Sequence, residues 1–330
     1  MKAIILKTAA ILLLLAGGFA SCEEEERNKD NTCLLLDNIE ILYSDIPPAL
    51  YRDLVFIDDT TGYAISEGYV VKTTDGGKCW NSQSLPINTN VGKIQFTDEN
   101  TGYITGGDNT FGVLFKTIDG GARWNTIYLN SLEIPSGMFF INNDTGFITG
   151  KGLFAKTTDG GKNWIDLKTE DIFMYNDVKF KNTKDGTVTS MNGVYLQTSD
   201  GGETWNSFKY NTTDHLYNIY FADNATYVTS NASSILLDLD NNKEIISLKG
   251  STQKFVFFDS KKSIAVSHYW EGEVPNGILF ITANSWKTYC SKELSMVASS
   301  VFAAITKMSE SKAMILCKRF HTTEVMIINF

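Results

Sequence analysis

The chain has 330 residues and carries 38 acidic against 29 basic side chains, a formal net charge of −9. A surface of that sign repels phosphate backbones and excludes nucleic acid as the expected partner. None of its five cysteines stands in a Cys-x-x-Cys pair, which argues against a zinc site.

Taken in chain order, residues 1–21 read as an export signal. Lys2 and Lys7 give a basic start, Ala9 to Ala16 is an apolar run with four consecutive leucines, and small residues lead to Phe19-Ala20-Ser21-Cys22. The run is too short to span a bilayer, and small residues before a break mark a cleavable signal. A cysteine directly after the break resembles the lipobox of bacterial lipoproteins. That resemblance implies that Cys22 is lipidated and opens the mature chain; an ordinary secretory signal that happens to precede a cysteine is the alternative. Residues 22–32, with Glu23-Glu24-Glu25-Glu26 at their head, cannot collapse and form a solvated acidic tether. An acidic patch at this place resembles the surface-export signal of Bacteroidetes lipoproteins, which implies an outer-membrane protein of the cell envelope that faces outward. Loss of residues 1–21 would leave 309 residues and, without Lys2 and Lys7, a net charge of −11. In an oxidising compartment Cys33, Cys79, Cys290 and Cys317 allow one disulfide of unreadable pairing, or isolated packed thiols, the preferred reading.

Residues 33–330 are organised by a repeat. KTTDGGKCW (72–80) returns as KTIDGGARW (116–124), KTTDGGKNW (156–164) and QTSDGGETW (197–205). A second signature precedes each copy: FIDDTTGY (56–63), FTDENTGY (96–103), FINNDTGF (140–147) and FKNTKDGT (180–187). Its leading Phe lies 16 residues after the previous Trp, and that ruler finds worn copies. FADNATYV begins at Phe221 and FFDSKKSI at Phe257; Asp238 to Ile245 sits in frame with the nine-residue string, with Asn-Asn for Gly-Gly and Ile for Trp, and Thr282 to Tyr289 is another worn copy. The first-strand anchors are Phe56, Phe96, Phe140, Phe180, Phe221, Phe257 and Ile305, seven in all.

One unit reads as four short strands, as in 91–96, 101–106, 112–117 and 123–129, each rich in β-branched and aromatic residues and bounded by Gly, Asn or Asp. Seven such sheets bury their faces by packing radially, so the expected fold is all-β: a seven-bladed propeller of four-stranded antiparallel blades. Residues 291–318 compete between helix and strand, and the ruler favours strands at 300–306 and 312–317. The seventh unit lacks a fourth strand. Leu34 to Leu36 and Ile39 to Tyr43 are spare, and Glu40 lies 16 residues before Phe56, so the N-terminal strand is expected to close the last blade.

Each position of the nine-residue string has a structural role in a hairpin. Asp75, Asp119, Asp159 and Asp200 can accept backbone N–H groups just after them. Gly76 and Gly77, Gly120 and Gly121, Gly160 and Gly161, and Gly201 and Gly202 can take positive φ, and Trp80, Trp124, Trp164 and Trp205 bury a large ring. The string closely resembles the Asp-box, or BNR repeat, which implies a corner on the outer rim and neither a catalytic nor a metal role. Asp238, Asp240 and Asn242 echo a calcium loop, but Lys243 and Lys249 occupy the places where Gly and Glu are required. Sialidases use three arginines, and only Arg52 and Arg319 lie outside the tether and the corners, so that activity is not expected.

Together, F-x-D-x-x-T-G-Y followed by K-T-x-D-G-G-x-x-W is similar to the propellers related to the photosystem II assembly and stability factor, over nearly all of residues 50–290. The resemblance implies a non-enzymatic binding, scaffold or assembly role without a cofactor. A protein or glycan partner is expected on the loop face opposite the Asp-boxes, membrane attachment through the lipid, and a monomer. The candidate contacts there are His268, Tyr269, Trp270 and Glu271 in a long loop, and Tyr217 beside His215 in a turn between units. The alternative is a glycoside hydrolase using two axial acids such as Asp177 and Asp214, from the turns after the third and fourth units.

Overall fold

The computed structural model describes residues 20–21 and 39–330 except 109–110, 130–133, 168–171, 173, 231–234, 272–273, 295–300 and 320–321. Seven antiparallel sheets follow one another along the chain. Blade 1 consists of strands Asp53–Phe56, Gly62–Ser66, Tyr69–Thr73 and Asn81–Ser84; blade 2 of Asn90–Phe96, Gly102–Gly107, Gly112–Thr117 and Asn125–Leu129. Blade 3 runs from Gly137–Phe140 to Ile165–Asp166, blade 4 from Tyr175–Phe180 to Asn206–Lys209, and blade 5 from Leu216–Ala222 to Lys243–Ser247. Blade 6 holds Ser251–Phe257, Ser263–Glu271, Val274–Thr282 and Cys290–Leu294, with Ala20–Ser21 paired to its outer strand.

Blade 7 is built from both ends of the chain. Val301–Ser309, Lys312–Arg319 and Thr322–Asn329 supply three strands, so 301–319 is strand and not helix. Ile39–Leu42 supplies the fourth, with Ile39 opposite Ile328 and Leu42 opposite Val325. The N-terminal segment thus fastens the ring as its sequence position requires; Leu34 to Leu36 lie outside the described residues. First strands of successive blades pack on one another, and that of blade 7 packs on that of blade 1, so these strands wall the axis.

The two signatures recur together because they are bonded to each other. In the first turn the residue two after the anchor caps the reversal: Asp58 Oδ1 accepts the N–H of Thr60 and of Thr61 at 2.7 Å, and Asp98, Asn142, Asn182 and Asp259 do the same in their blades. The carbonyl of that turn then receives the first glycine of the Asp-box: Gly76 N–H donates to Thr60 O at 2.9 Å, Gly120 to Asn100, Gly160 to Asp144 and Gly201 to Lys184. The anchor ring lies flat on the second-strand glycine, where a Cβ on Gly146 would meet Phe140 at 2.4 Å.

Within each Asp-box the carboxylate collects the donors of the corner. Asp75 Oδ1 accepts Thr73 Oγ1 at 2.9 Å, Lys78 N–H at 3.0 Å and Cys79 N–H at 2.9 Å, and Gly77 N–H donates to Thr73 Oγ1. Gly76 and Gly77 stand at φ 75° and 94°, and the glycine pairs of the next three corners are positive as well. The worn copy in blade 6 keeps this geometry with other residues. Asn284 Oδ1 accepts Thr282 Oγ1 and Thr288 N–H, while Ser285 and Trp286 both occupy the left-handed positions at φ 62°. Blade 5 differs from its in-frame reading. Asp238 pairs directly with Lys243, so four residues turn where an Asp-box uses eight, and Ile245 does not take the place of the tryptophan. The shortened hairpin reverses on Asn242 at φ 49°, which an Asn tolerates without a glycine pair.

The cysteines split. Cys79, exposed, and Cys317, buried, stand outside any disulfide, whereas Cys290 is disulfide-bonded, so the preferred reading of isolated thiols fails at Cys290; Cys33 lies outside the described residues.

Three outcomes follow. Deleting residues 1–43 exposes the edge of blade 7 and should lower the melting temperature by more than about 5 °C, on the scale of a few kcal/mol for a chain this long. Ser285→Gly relieves a left-handed non-glycine residue and should stabilise by about 1 kcal/mol in urea titration. At the corner of blade 3, the N–H and side-chain amide of Asn163 hold the Asp159 carboxyl at about 2. A carboxyl lowered on folding stabilises above its unfolded value near 4 and loses that contribution as pH falls toward about 2. The melting temperature should therefore drop across that window, and less steeply in Asp159→Asn.

Candidate functional site

The Asp-box corners occupy one face with the turns that follow the anchors, since the two are hydrogen-bonded in each of the first four blades. The turns between second and third strands lie on the other face with the connections between blades: Gly68 N–H donates to Thr89 O at 3.1 Å, and Gly193 N–H to Asp214 O at 2.7 Å. His215 is on this second face, and its Nδ1 accepts the Asn192 N–H at 3.2 Å, so one of its ring nitrogens supports a turn. Its ring centroid is 6.5 Å from that of Tyr217. The segment read as a long loop is instead a hairpin. Tyr269 pairs with Asn276, Trp270 with Pro275 and Glu271 with Val274, because Val266 to Trp270 has the alternation and aromatic content of a strand. The side chains of His268, Tyr269, Trp270 and Glu271 lie outside the described residues, as does Cys22.

The axis is where charge gathers. Three positions before the anchors stand Asp53, Lys93, Gly137, Asp177, Asn218 and Lys254. The first strands bulge at this level: the register shifts between Val91 and Ile94, Tyr175 and Asp177, Leu216 and Ile219, and Thr252 and Lys254. A bulge leaves N–H groups without a ladder partner. Side chains of the neighbouring blade or the second strand then take them up. Ile94 N–H donates to Asp53 Oδ2 at 3.1 Å and Ile219 N–H to Asp177 Oδ2 at 3.1 Å, each from one blade to the preceding one. Lys93 and Asn218 N–H donate to Thr105 and Thr229 Oγ1.

Lys254 of blade 6 reaches past blade 7 to form an ion pair with Asp53 of blade 1. Burial pushes the Asp53 carboxyl up, but the ammonium groups of Lys254 and Lys93 and the Ile94 N–H outweigh it and hold the acid below its usual range. Lys179 lies 5.2 Å from the Tyr220 ring centroid and donates to Ile219 O at 2.8 Å. Burial lowers its pKa; Asp177 opposes that shift, while Lys93 and Lys254 add to it. Lys93 Nζ has no acceptor within hydrogen-bond distance among the described residues, so three ammonium groups face two carboxylates and one cation is left over.

Of the acids read as axial, Asp177 lies there, but inside the strand Tyr175–Phe180 rather than in the turn before it. Its carboxylate is buried and spent on Ile219. Asp214 stays in the connection between blades 4 and 5 and accepts Ser230 Oγ at 3.3 Å. Asp53, Lys93, Lys179 and Lys254 were missed by motif reading; counting three residues back from each anchor would have found three of them. A proton donor for glycoside cleavage needs a raised carboxyl, and Asp53 is held the other way. Among the described residues no three His, Cys, Asp or Glu side chains come together as metal ligands.

Removing Lys254 strands a buried carboxylate. Lys254→Met should destabilise by about 2–3 kcal/mol in urea titration, and adding Asp53→Asn should recover most of that loss.

The model of the photosynthesis system II assembly factor YCF48 matches residues 78–173. No curated protein matches the chain in sequence. Among solved structures, YCF48 bound to a D1 peptide superposes with a TM-score of 0.67 at 20% identity, covering 89% of this chain and 97% of that one. YCF48 from Cyanidioschyzon merolae gives 0.65 at 16%, covering 88% and 99%. The GH74 enzyme of Niastella koreensis gives 0.65 at 12%, with 86% of this chain on 53% of that one, so the chain spans about half of it. The chain is a seven-bladed propeller of Asp-box repeats that resembles the photosystem II assembly factor.

Proposed function

We propose that the protein is a non-catalytic binding and assembly module, anchored to the outer membrane through a lipid on Cys22 and facing outward, that holds an acidic segment of a protein partner at the axis of the propeller. The observation that carries this reading is the uncompensated axial cation, Lys93 among Lys179 and Lys254, in a chain whose net charge is −9. A positive point recessed in a negative surface focuses the field and selects a carboxylate-bearing segment over other polymers. A similar propeller of nearly the same length has been solved with a peptide bound, which supports a peptide as the kind of partner. Hydrolysis finds less support, because the GH74 enzymes that superpose on the chain are about twice as long and Asp53 and Asp177 are engaged by lysine and backbone.

The test is capture of partners from native membranes by the lipidated chain. Lys93→Glu should reduce the captured protein at least tenfold while Lys151→Glu on the exposed surface leaves it unchanged. Turnover of a glycan panel, abolished by Asp177→Asn, would refute the reading. Loss of membrane attachment in Cys22→Ala checks the anchor separately.

A further inference from the structure

Blades 4 and 5 are joined differently from their neighbours. At three interfaces an aromatic ring from the second strand stacks on the anchor of the next blade: Tyr63 on Phe96 at 4.2 Å between centroids, Tyr103 on Phe140 at 3.6 Å, and Phe147 on Phe180 at 4.8 Å. Tyr227 stacks on Phe257 at 5.1 Å in the same way. A lysine paired with that ring, Lys72, Lys116 or Lys156, lies over it and donates to a glycine carbonyl of the next Asp-box. An edge-on tryptophan, Trp80, Trp124, Trp164 or Trp205, covers the other side of the anchor in blades 1 to 4.

Blade 4 offers Thr187 where the ring should be and Gln197 where the lysine should be, and the two pair directly. Blade 5 has the short turn and no tryptophan. Phe221, its anchor, consequently has no ring partner among the described residues. The missing groups leave a cavity of about 330 Å³ lined by Thr187, Gln197, Phe208, Phe221, Thr226 and Asp240, with Lys181 and Asn206 at its edge. That volume is in the range of small-ligand sites. Its chemistry is one bare aromatic face ringed by hydrogen-bonding groups. Thr187 Oγ1 and the Gln197 amide make no hydrogen bond among the described residues, and Asp240 engages only its Oδ2, with the Thr226 N–H at 2.6 Å. Phe208, 43% exposed, stands at the mouth with its ring stacked on Tyr195.

We infer that this cleft is a binding site for a phenol-type ring, carried by a small molecule or by a tyrosine side chain, which stacks on Phe221 as Tyr103 stacks on Phe140. In the filled interfaces the phenol hydroxyl donates to a carbonyl of the next blade, Tyr63 to Gly120 O at 2.8 Å and Tyr103 to Asn143 O at 2.7 Å. In the open one, Asp240 and Gln197 supply acceptors for the guest hydroxyl. The site is on the rim, between blades and away from the axial lysines, and it stands or falls independently of the proposed partner.

The experiment titrates p-cresol and N-acetyl-tyrosinamide into the full chain, read by calorimetry and by chemical-shift changes. One saturable site is expected, with toluene at least fivefold weaker for want of the hydroxyl. Thr187→Tyr inserts the missing ring; it should abolish binding of both phenols and raise the melting temperature. Phe221→Leu removes the ring on which the guest stacks and should weaken p-cresol at least tenfold, which keeps the test decisive if the first variant misfolds. Binding of p-cresol but not the tyrosine amide assigns the site to free phenols; binding of both admits a tyrosine of a partner. No saturable binding, binding untouched by both variants, or preference for cellobiose over the phenols overturns the inference.

Discussion

The first four blades depend on one contact repeated between them: a long side chain from one blade donates to the backbone of the next Asp-box corner. Lys72 and Tyr63 both donate to Gly120 O, Lys116 to Gly160 O and Lys156 to Gly201 O. A β-sheet packed face to face is held by a non-directional apolar contact and can slide. A hydrogen bond to a fixed carbonyl sets the rotation of each of blades 1 to 3 against the blade that follows it. The carbonyl can serve because the corner is rigid, with its aspartate occupied by several donors, three at Asp159 and four at Asp200, and its first glycine tied to the adjacent turn. The conspicuous corner thus works as a socket, and the less conspicuous lysine three residues before the aspartate works as the plug.

That division explains how much the sequence disclosed. Blade number, strand order and the closing role of Ile39–Leu42 were legible because they follow from spacing, and the 16-residue step survives even where the residues have changed. Thr282 to Tyr289 shows why: Asn284 accepts the same hydrogens as an aspartate, so the corner keeps its shape without its glycines. Asp238 to Ile245 shows the limit. It keeps the same residue frame, yet pairing Asp238 with Lys243 removes half the corner, and spacing alone does not distinguish a worn turn from a shortened one. In the hairpin Ser263–Glu271 and Val274–Thr282, aromatics beside carboxylates look in sequence like a loop's contact surface, whereas the ladder depends on backbone pairing that tolerates such side chains.

The axial charges were hidden for another reason. Asp53, Lys93, Asp177 and Lys254 carry no motif of their own, and no two of them are nearer than 40 residues in sequence. They meet because the first strands of all the blades wall the axis and those of blades 2, 4, 5 and 6 bulge at the same level, so the ring brings into one place what the repeat spreads along the chain. Repetition also makes the departures informative. A repeated architecture places the same side chains in equivalent environments, and a substitution at one blade leaves a defect whose shape is known from the others.

Two such departures give this propeller its individuality. At the axis, lysines stand among acids at equivalent positions, and the Lys93 ammonium has no hydrogen-bond acceptor among the described residues. Between blades 4 and 5, the losses of a ring, a lysine and half a corner coincide. A lone aromatic-to-threonine change in a close-packed core leaves a void that costs roughly 3–5 kcal/mol. Here the shortened corner and the half-exposed Phe208 open the void to solvent instead, and polar groups line it, so water can wet the gap and the cost of leaving it unfilled falls. An interface that tolerates its own missing ring is one that can take a ring from outside without rearranging the wheel around it.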